Sequence, residues 1–281
     1  MPRTLLVGLT LLIAAMPAAA QAQWSTVKGK VVFDDSKNKI PVRVFPPAAK
    51  AAVLPPCAAL DKDFLTEDWI VDPKTKAVKD AVVWLAPEPT ADEWRRLKLP
   101  NSDKEKLREF PKFKPAEVHP GLLKVPANKV EIDQPCCRFI PHQSAMRVGQ
   151  TLVIKNSAAF SHNAKYDTSN NGSENPLIIA GGKVEIPIKE PERSEIKIVC
   201  NIHGWMSASV RVFEHPYFAV TNEKGEYEIK DAPVGKYRIF VWHSTGGFGI
   251  GSEGKFFGNA LTITPKSTDV KDYAVAPEPA K

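Results

Sequence analysis

Cysteine is scarce in this chain of 281 residues, occurring only at positions 57, 136, 137 and 200. Four cysteines are too few for a disulfide-built scaffold, so a hydrophobic core must carry the fold. Long helical patterns are scarce too, and 25 prolines and 16 glycines interrupt the chain too often for a helical bundle. There is no basic arm or polybasic block. The net charge of +6 is spread along the chain, which removes nucleic acid as an expected partner and leaves a solvated surface. One apolar run stands out. Residues 1–22, MPRTLLVGLTLLIAAMPAAAQA, place Arg3 before a run from Leu5 to Ala15 and end on Ala20-Gln21-Ala22. That is the pattern of a signal peptide cleaved near Ala22, and Pro17 with the alanine-rich exit argues against a membrane span. The mature chain is expected to be secreted or periplasmic.

What is present is β-type patterning. VKGKVVFDD (27–35) and KDAVVWLAP (79–87) are short β-rich runs bounded by turn residues. Between them the Pro-Pro pairs belong to loops. Residues 88–127 are charged and proline-punctuated, with short helices expected at 91–98, capped by Thr90 or Asp92, and at 102–109, capped by Ser102. From Asn128 onward KVEID, QTLVIKN, KVEIPI, EIKIVC and SASVRVF alternate, so Ile196 with Ile198, and Ala208 with Val210 and Val212, are expected on an inward face. Several strands at short spacing joined by Gly, Pro and Asn turns suggest a sandwich.

The segment 218–243 reads Thr221-x-x-x-Gly225-x-Tyr227-x-Ile229, then Pro233-x-Gly235-x-Tyr237. It resembles the carboxypeptidase regulatory-like, transthyretin-type sandwich, whose opening strand G-x-V-x-x-D is similar to VKGKVVFDD. The resemblance implies a divided order: signal peptide 1–22; first part of this sandwich 24–127, carrying the charged helical excursion 88–127; an inserted sandwich 128–213; the remainder 214–275; and a disordered tail 276–281. A tandem of three modules is the alternative.

The chemistry concentrates in VCNIHGWMSASVRV (199–212). Cys200, His203 and Met206 stand three apart just before a strand, and a thiolate, an imidazole and a thioether form a soft set that suits copper. Alone, C-x-x-H in a secreted protein is also half a disulfide beside a surface histidine. A fourth donor is sought among His119, His142, His162, His215 and His243, and His162 in KNSAAFSHNAKYD follows a strand. Taken together, SHN followed by C-x-x-H-x-x-M over 128–213 resembles the cupredoxins, amicyanin most and plastocyanin next. The resemblance implies one type 1 copper held by His162, Cys200, His203 and Met206, with Asn163 supporting the thiolate and its loop, and Gly204 with Trp205 framing the electron exit. It departs from relatives at Ala158-Ala159-Phe160-Ser161, where a proline often precedes the histidine. His142 and His215 read as surface or hydrogen-bonded histidines, and His119 and His243 carry no supporting pattern.

The expected fold class is therefore all-β: a cupredoxin Greek-key sandwich plus a second transthyretin-like β-sandwich, with a short helical excursion. A bridge from Cys57 to Cys136 or Cys137 would tie two regions together; related secreted proteins with a single cysteine before an aromatic-x-Pro-His element imply Cys137. H-x-H pairs and a His-Cys-His element are absent, so a multicopper enzyme is not expected, and no Ser-His-Asp or paired-carboxylate set stands out. GIGSEG (249–254) fits G-x-G-x-x-G in letters, yet no helix pattern follows, so it reads as a glycine loop. The expected function is a carrier of single electrons meeting a transient haem or copper protein partner. The competing expectation is a binding protein in which copper is stored, delivered or stabilising, with carbohydrate at the other sandwich.

Overall fold

The computed structural model describes residues 23–44, 65–98, 110–192, 194–249, 257–266, 268–269 and 272–277. The expected signal peptide, Cys57, the helix at 102–109, most of the glycine loop and the end of the tail lie outside the described residues. The chain opens with β1 (Trp24–Phe33) and β2 (Val82–Pro87), then helix α1 (Ala91–Leu97), a 3-10 turn (Pro115–Glu117) and helix α2 (Pro120–Leu123). Next come β3 (Val130–Asp133), β4 (Gln143–Arg147), β5 (Thr151–Lys155), β6 (His162–Asn163), β7 (Lys165–Asp167) and β8 (Leu177–Ile178). They are followed by β9 (Lys183–Pro187), β10 (Ile196–Val199), β11 (Ser207–Phe213), β12 (Phe218–Val220), β13 (Glu226–Pro233) and β14 (Gly235–His243). The last are β15 (Gly247–Phe248), β16 (Asn259–Ile263), β17 (Thr268–Asp269) and β18 (Tyr273–Val275). The expectation of an all-β chain with a short helical element holds.

The strands from the two ends of the chain share sheets. β1 pairs antiparallel with β13 and parallel with β17 and β18, while β2 lies antiparallel between β12 and β14. Val27, Val31, Phe33, Val83, Leu85, Tyr227, Ile229 and Ile239 fill the core these sheets enclose. A turn explains the Thr-to-Gly spacing. Thr221 Oγ1 donates to Val78 O (2.7 Å) and accepts from Ala81 N (2.9 Å), and Asn222 Oδ1 accepts from the amides of Lys224 and Glu226. At Gly225 φ is 69°, and an added Cβ would lie 2.5 Å from Val31 O, so no side chain fits that approach.

The middle of the chain builds separate sheets. One has the order β4-β11-β10-β7 and the other β3-β5-β9, with β6 and β8 as a two-stranded ribbon. Parallel pairing of β3 with β5 and of β4 with β11, beside antiparallel neighbours, gives the crossed connections of a Greek key. Ile132, Phe139, Leu152, Ile154, Ile196, Ile198, Ala208 and Val210 are buried between these sheets, and the inward faces read from alternation are the observed ones. β11, however, buries both faces. Its second face carries Arg211 and Phe213 against β2 and β14, where Val82, Phe213 and Trp242 form a small cluster joining the two sets of sheets. Alternation cannot report such a face, because it is covered only after the sheets dock.

Candidate metal centre

Two loops deliver the donors. The first follows β5, where Asn156 accepts from Ala158 N (3.1 Å) and donates to Phe160 O (2.8 Å) and Ile178 O (2.8 Å). This buried amide folds the turn through Ala158-Ala159-Phe160-Ser161 and fixes where β6 begins, with His162 opposite Ile178 and Asn163 opposite Leu177. The second loop joins β10 to β11. Cys200 N donates to Met206 O (3.1 Å) and Met206 N to His203 O (2.8 Å), so C-x-x-H-x-x-M closes on itself and sets Met206 back beside Cys200. Asn163 ties the loops together. Its Oδ1 accepts from Asn201 N (2.9 Å) and Ile202 N (3.2 Å) and lies 3.3 Å from Cys200 Sγ, while its Nδ2 donates to Asn175.

The donor atoms converge. His162 Nδ1 and His203 Nδ1 are 3.1 Å apart, and Cys200 Sγ lies 3.9 Å from the first and 3.8 Å from the second. His162 is fully buried, His203 and Cys200 nearly so, and Met206 is buried in the same cluster. Burial, and secondarily the neighbouring His203, push His162 down to about 4; burial alone lowers His203. Both rings are thus neutral near pH 7, the form that binds metal. His162 Nε2 is buried with no hydrogen-bond partner among the described residues. Two ring nitrogens facing each other with a sulfur alongside cannot all be satisfied by one shared proton. Bonds of about 2.0 Å to nitrogen and about 2.3 Å to sulfur around one ion reproduce edges of this size. The donor set fits a soft or borderline transition metal, and imidazole with thiolate and thioether is the combination suited to copper.

The structure also adds a group that sequence reasoning placed elsewhere. Cys137 is fully buried, and its Sγ and a ring nitrogen from each of His162 and His203 lie within 4.8 Å of one another. Its carbonyl accepts from Trp205 Nε1 (3.1 Å), and its backbone sits at φ 46°, outside the usual range for a side-chain-bearing residue. The Cys57 half of the expected bridge lies outside the described residues. Only the adjacency of CCRF to a buried strand hinted that this cysteine reaches the centre; nothing in its spacing marks it.

Phe160 lies over both imidazoles, 5.0 Å from His162 and 6.3 Å from His203 between ring centres, and Trp205 is 5.2 Å from His203. Gly204 is exposed and Trp205 half-buried. Three large apolar side chains on these loops face solvent: Ile202 (55% exposed) on the ligand loop, Leu177 (63%) opposite Asn163 on β8, and Ile179 (63%) just after β8. The remaining histidines stand apart. His142 Nδ1 is 2.8 Å from Ser207 O, His119 Nδ1 caps α2 at Gly121 N, His243 is buried on β14 and His215 is half-buried in the turn between β11 and β12, both with backbone amides at Nδ1.

No protein-family model matches this chain, and no curated protein does. Solved structures that resemble it include a purple cupredoxin from Nitrosopumilus maritimus, 22% identical over 30% of this chain and 100% of that one, at a TM-score of 0.26. An amicyanin variant in its reduced Cu(I) form at pH 4 is 18% identical over 32% of this chain and 87% of its own, at 0.28. An oxidised amicyanin variant is 18% identical over 35% and 88%, at 0.27.

Proposed function

We propose that this protein holds one copper ion between His162, Cys200, His203 and Met206 and carries single electrons outside the cytoplasm. The observation that supports this most directly is the convergence of two imidazole Nδ1 atoms and one cysteine sulfur inside a buried cluster. Copper in such a set supplies a one-electron couple. The chain's own residues do the rest. Asn163 Oδ1 holds the ligand loop by accepting from the amides of Asn201 and Ile202, so the loop stays in place before and after electron transfer. Phe160 and the buried Met206 keep water from the ring nitrogens.

All donor positions come from the protein, leaving none for a substrate, and the reading is of a carrier with no catalysis of its own. Exposed Ile202 beside Gly204 and Trp205 on the ligand loop, with exposed Leu177 on the strand paired to β6, suits brief docking of a haem or copper protein, since redox encounters are small. Copper reconstitution of the mature chain tests the proposal: an intense visible thiolate band, bleached by ascorbate and restored by oxidant, is expected. A colourless product would count against it.

Cys137 favours a second reading. A further sulfur near the imidazoles suits retention of Cu(I), and copper would then be stored or handed on. In that case the protein stays colourless and gives Cu(I) to a weak chelator.

A further inference from the structure

Apart from the donor cluster, Arg211 is a buried cation with no ion-pair partner among the described residues. Arg211 as a residue is 9% exposed, and its guanidinium packs over Trp84 (4.9 Å), Trp242 (4.8 Å) and Phe248 (5.9 Å). Among the described residues it has no hydrogen-bond or ion-pair partner; Glu195 acts on it only at a distance. Burial pushes it down to about 10, so it stays charged. Aromatic faces offset part of the lost hydration, and the guanidinium nitrogens, which keep some contact with solvent, meet no protein acceptor among the described residues.

Arg211 lines a cavity of about 570 Å³ between the two sets of sheets, a size that accommodates a small organic ligand. The other charged side chains and the amide on its wall are already engaged. Glu192 accepts from Ser169 N, Asn170 N and Asn171 Nδ2, Asn170 donates to Pro191 O, and Lys112 pairs with Glu214 at 2.9 Å. His215 Nδ1 takes the amide of Tyr217. What remains is one cation among the rings of Phe110, Phe113 and Phe213. A polyhydroxylated ligand would find few partners here, and Trp84 offers it no open face because Phe240 stacks on one side and Arg211 covers its ring.

We propose that this cavity binds a small organic carboxylate with a ring-bearing apolar body, its two oxygens taken by the Arg211 guanidinium. Planar guanidinium and planar carboxylate match in a two-bond fork, and the rings receive the body. The site is separate from the donor cluster and does not depend on its metal.

Calorimetric titration of the mature full chain with phenylacetate, alongside its neutral analogue phenylacetamide, tests this. Saturable phenylacetate binding at least tenfold tighter than the amide, weakened in Arg211→Lys and lost in Arg211→Met, is expected. Equal affinity for acid and amide, no saturable binding of phenylacetate, or binding of glucuronate or inorganic phosphate tighter than phenylacetate would each overturn it. Should Arg211→Met fail to give a cooperative melt, the acid-to-amide ratio of the unsubstituted protein decides alone.

Discussion

Two regions of this molecule bury histidines, and they treat the ring nitrogens differently. On the sheets built from the chain ends, buried His243 Nδ1 accepts from Thr245 N (3.3 Å) and Gly246 N (3.4 Å) while its ring stacks on Trp69 at 4.0 Å, and at the turn leading into β12 the half-buried His215 Nδ1 accepts from Tyr217 N (3.1 Å). Backbone amides fix those tautomers. In the middle sheets His162 and His203 turn Nδ1 toward each other and toward Cys200, with no backbone donor between them. Burial lowers the pKa of all four rings. A depressed histidine is therefore no mark of a metal site by itself; what separates the two regions is whether the ring nitrogens end on backbone amides or face each other and a cysteine sulfur.

The sharpest break of that contrast replaces a converging sulfur. Cys200→Ser is expected to abolish the visible thiolate band and weaken copper by more than the roughly 100-fold that loss of an outer partner can cost. Cys137→Ser is expected to keep the band with a shifted maximum. Absorption and competition titration of both variants read this out, and the opposite order would make Cys137 the principal thiolate.

pH sharpens the comparison next. In the copper-free protein each buried ring has a folded pKa below its unfolded value near 6.5, so the unfolded chain binds more protons in the interval between them. Stability is then fully present above about 6.5 and is lost as pH falls toward about 4 for His162 and about 3 for His215 and His243. Melting curves from pH 7 to 3 should fall through that window. The increment added by copper should shrink over the same range, because protons compete for His162 and His203, whereas the His215 and His243 share is indifferent to the metal. A copper increment that is constant down to pH 4 would contradict this placement of the donors.

The contrast also separates what the sequence could disclose from what it could not. Met206 is buried in the donor cluster, and the placement of Cys200, His203 and the His162-Asn163 pair was legible because each lies at or near a strand end, and backbone geometry there brings them together locally. Cys137 was not, since its nearness depends on how the loop before β4 packs under Trp205. β4 itself was missed: Gln143, Ser144 and Arg147 are buried polar residues, engaged by Ser209, by the Gln143 amide and by Gln150 and Leu122, and they hide the apolar alternation. Arg211 sits on what alternation marks as an outward face, and only docking of β2 and β14 covers it. Local pairing is written in the spacing, and contact between layers is not.

The other region can be perturbed alone. Gly225→Ala forces a side chain into φ 69° against Val31 O, at an expected cost of about 1–3 kcal/mol. The midpoint of denaturant unfolding should drop accordingly while the absorption of the copper-loaded protein is unchanged. A spectral change would mean that strain in the β1–β13 pairing reaches the ligand loop.

The smallest expected effect lies at α1. Thr90 Oγ1 accepts from Glu93 N (3.3 Å) and Glu93 returns a carboxylate to Thr90 N (2.7 Å), a closed cap on a helix of 7 residues. Thr90→Ala should cost about 1 kcal/mol locally, a drop of a few degrees at most in the melting temperature. The helix holds Trp94, which donates to Glu88 Oε1 (3.0 Å) and packs edge-on against Phe110 on the cavity wall. Fraying there should loosen phenylacetate binding by a small factor and leave the copper spectrum as it was. If the spectrum moves and phenylacetate binding does not, α1 supports the donor cluster and not the cavity, and the separation of the two regions fails at its weakest point.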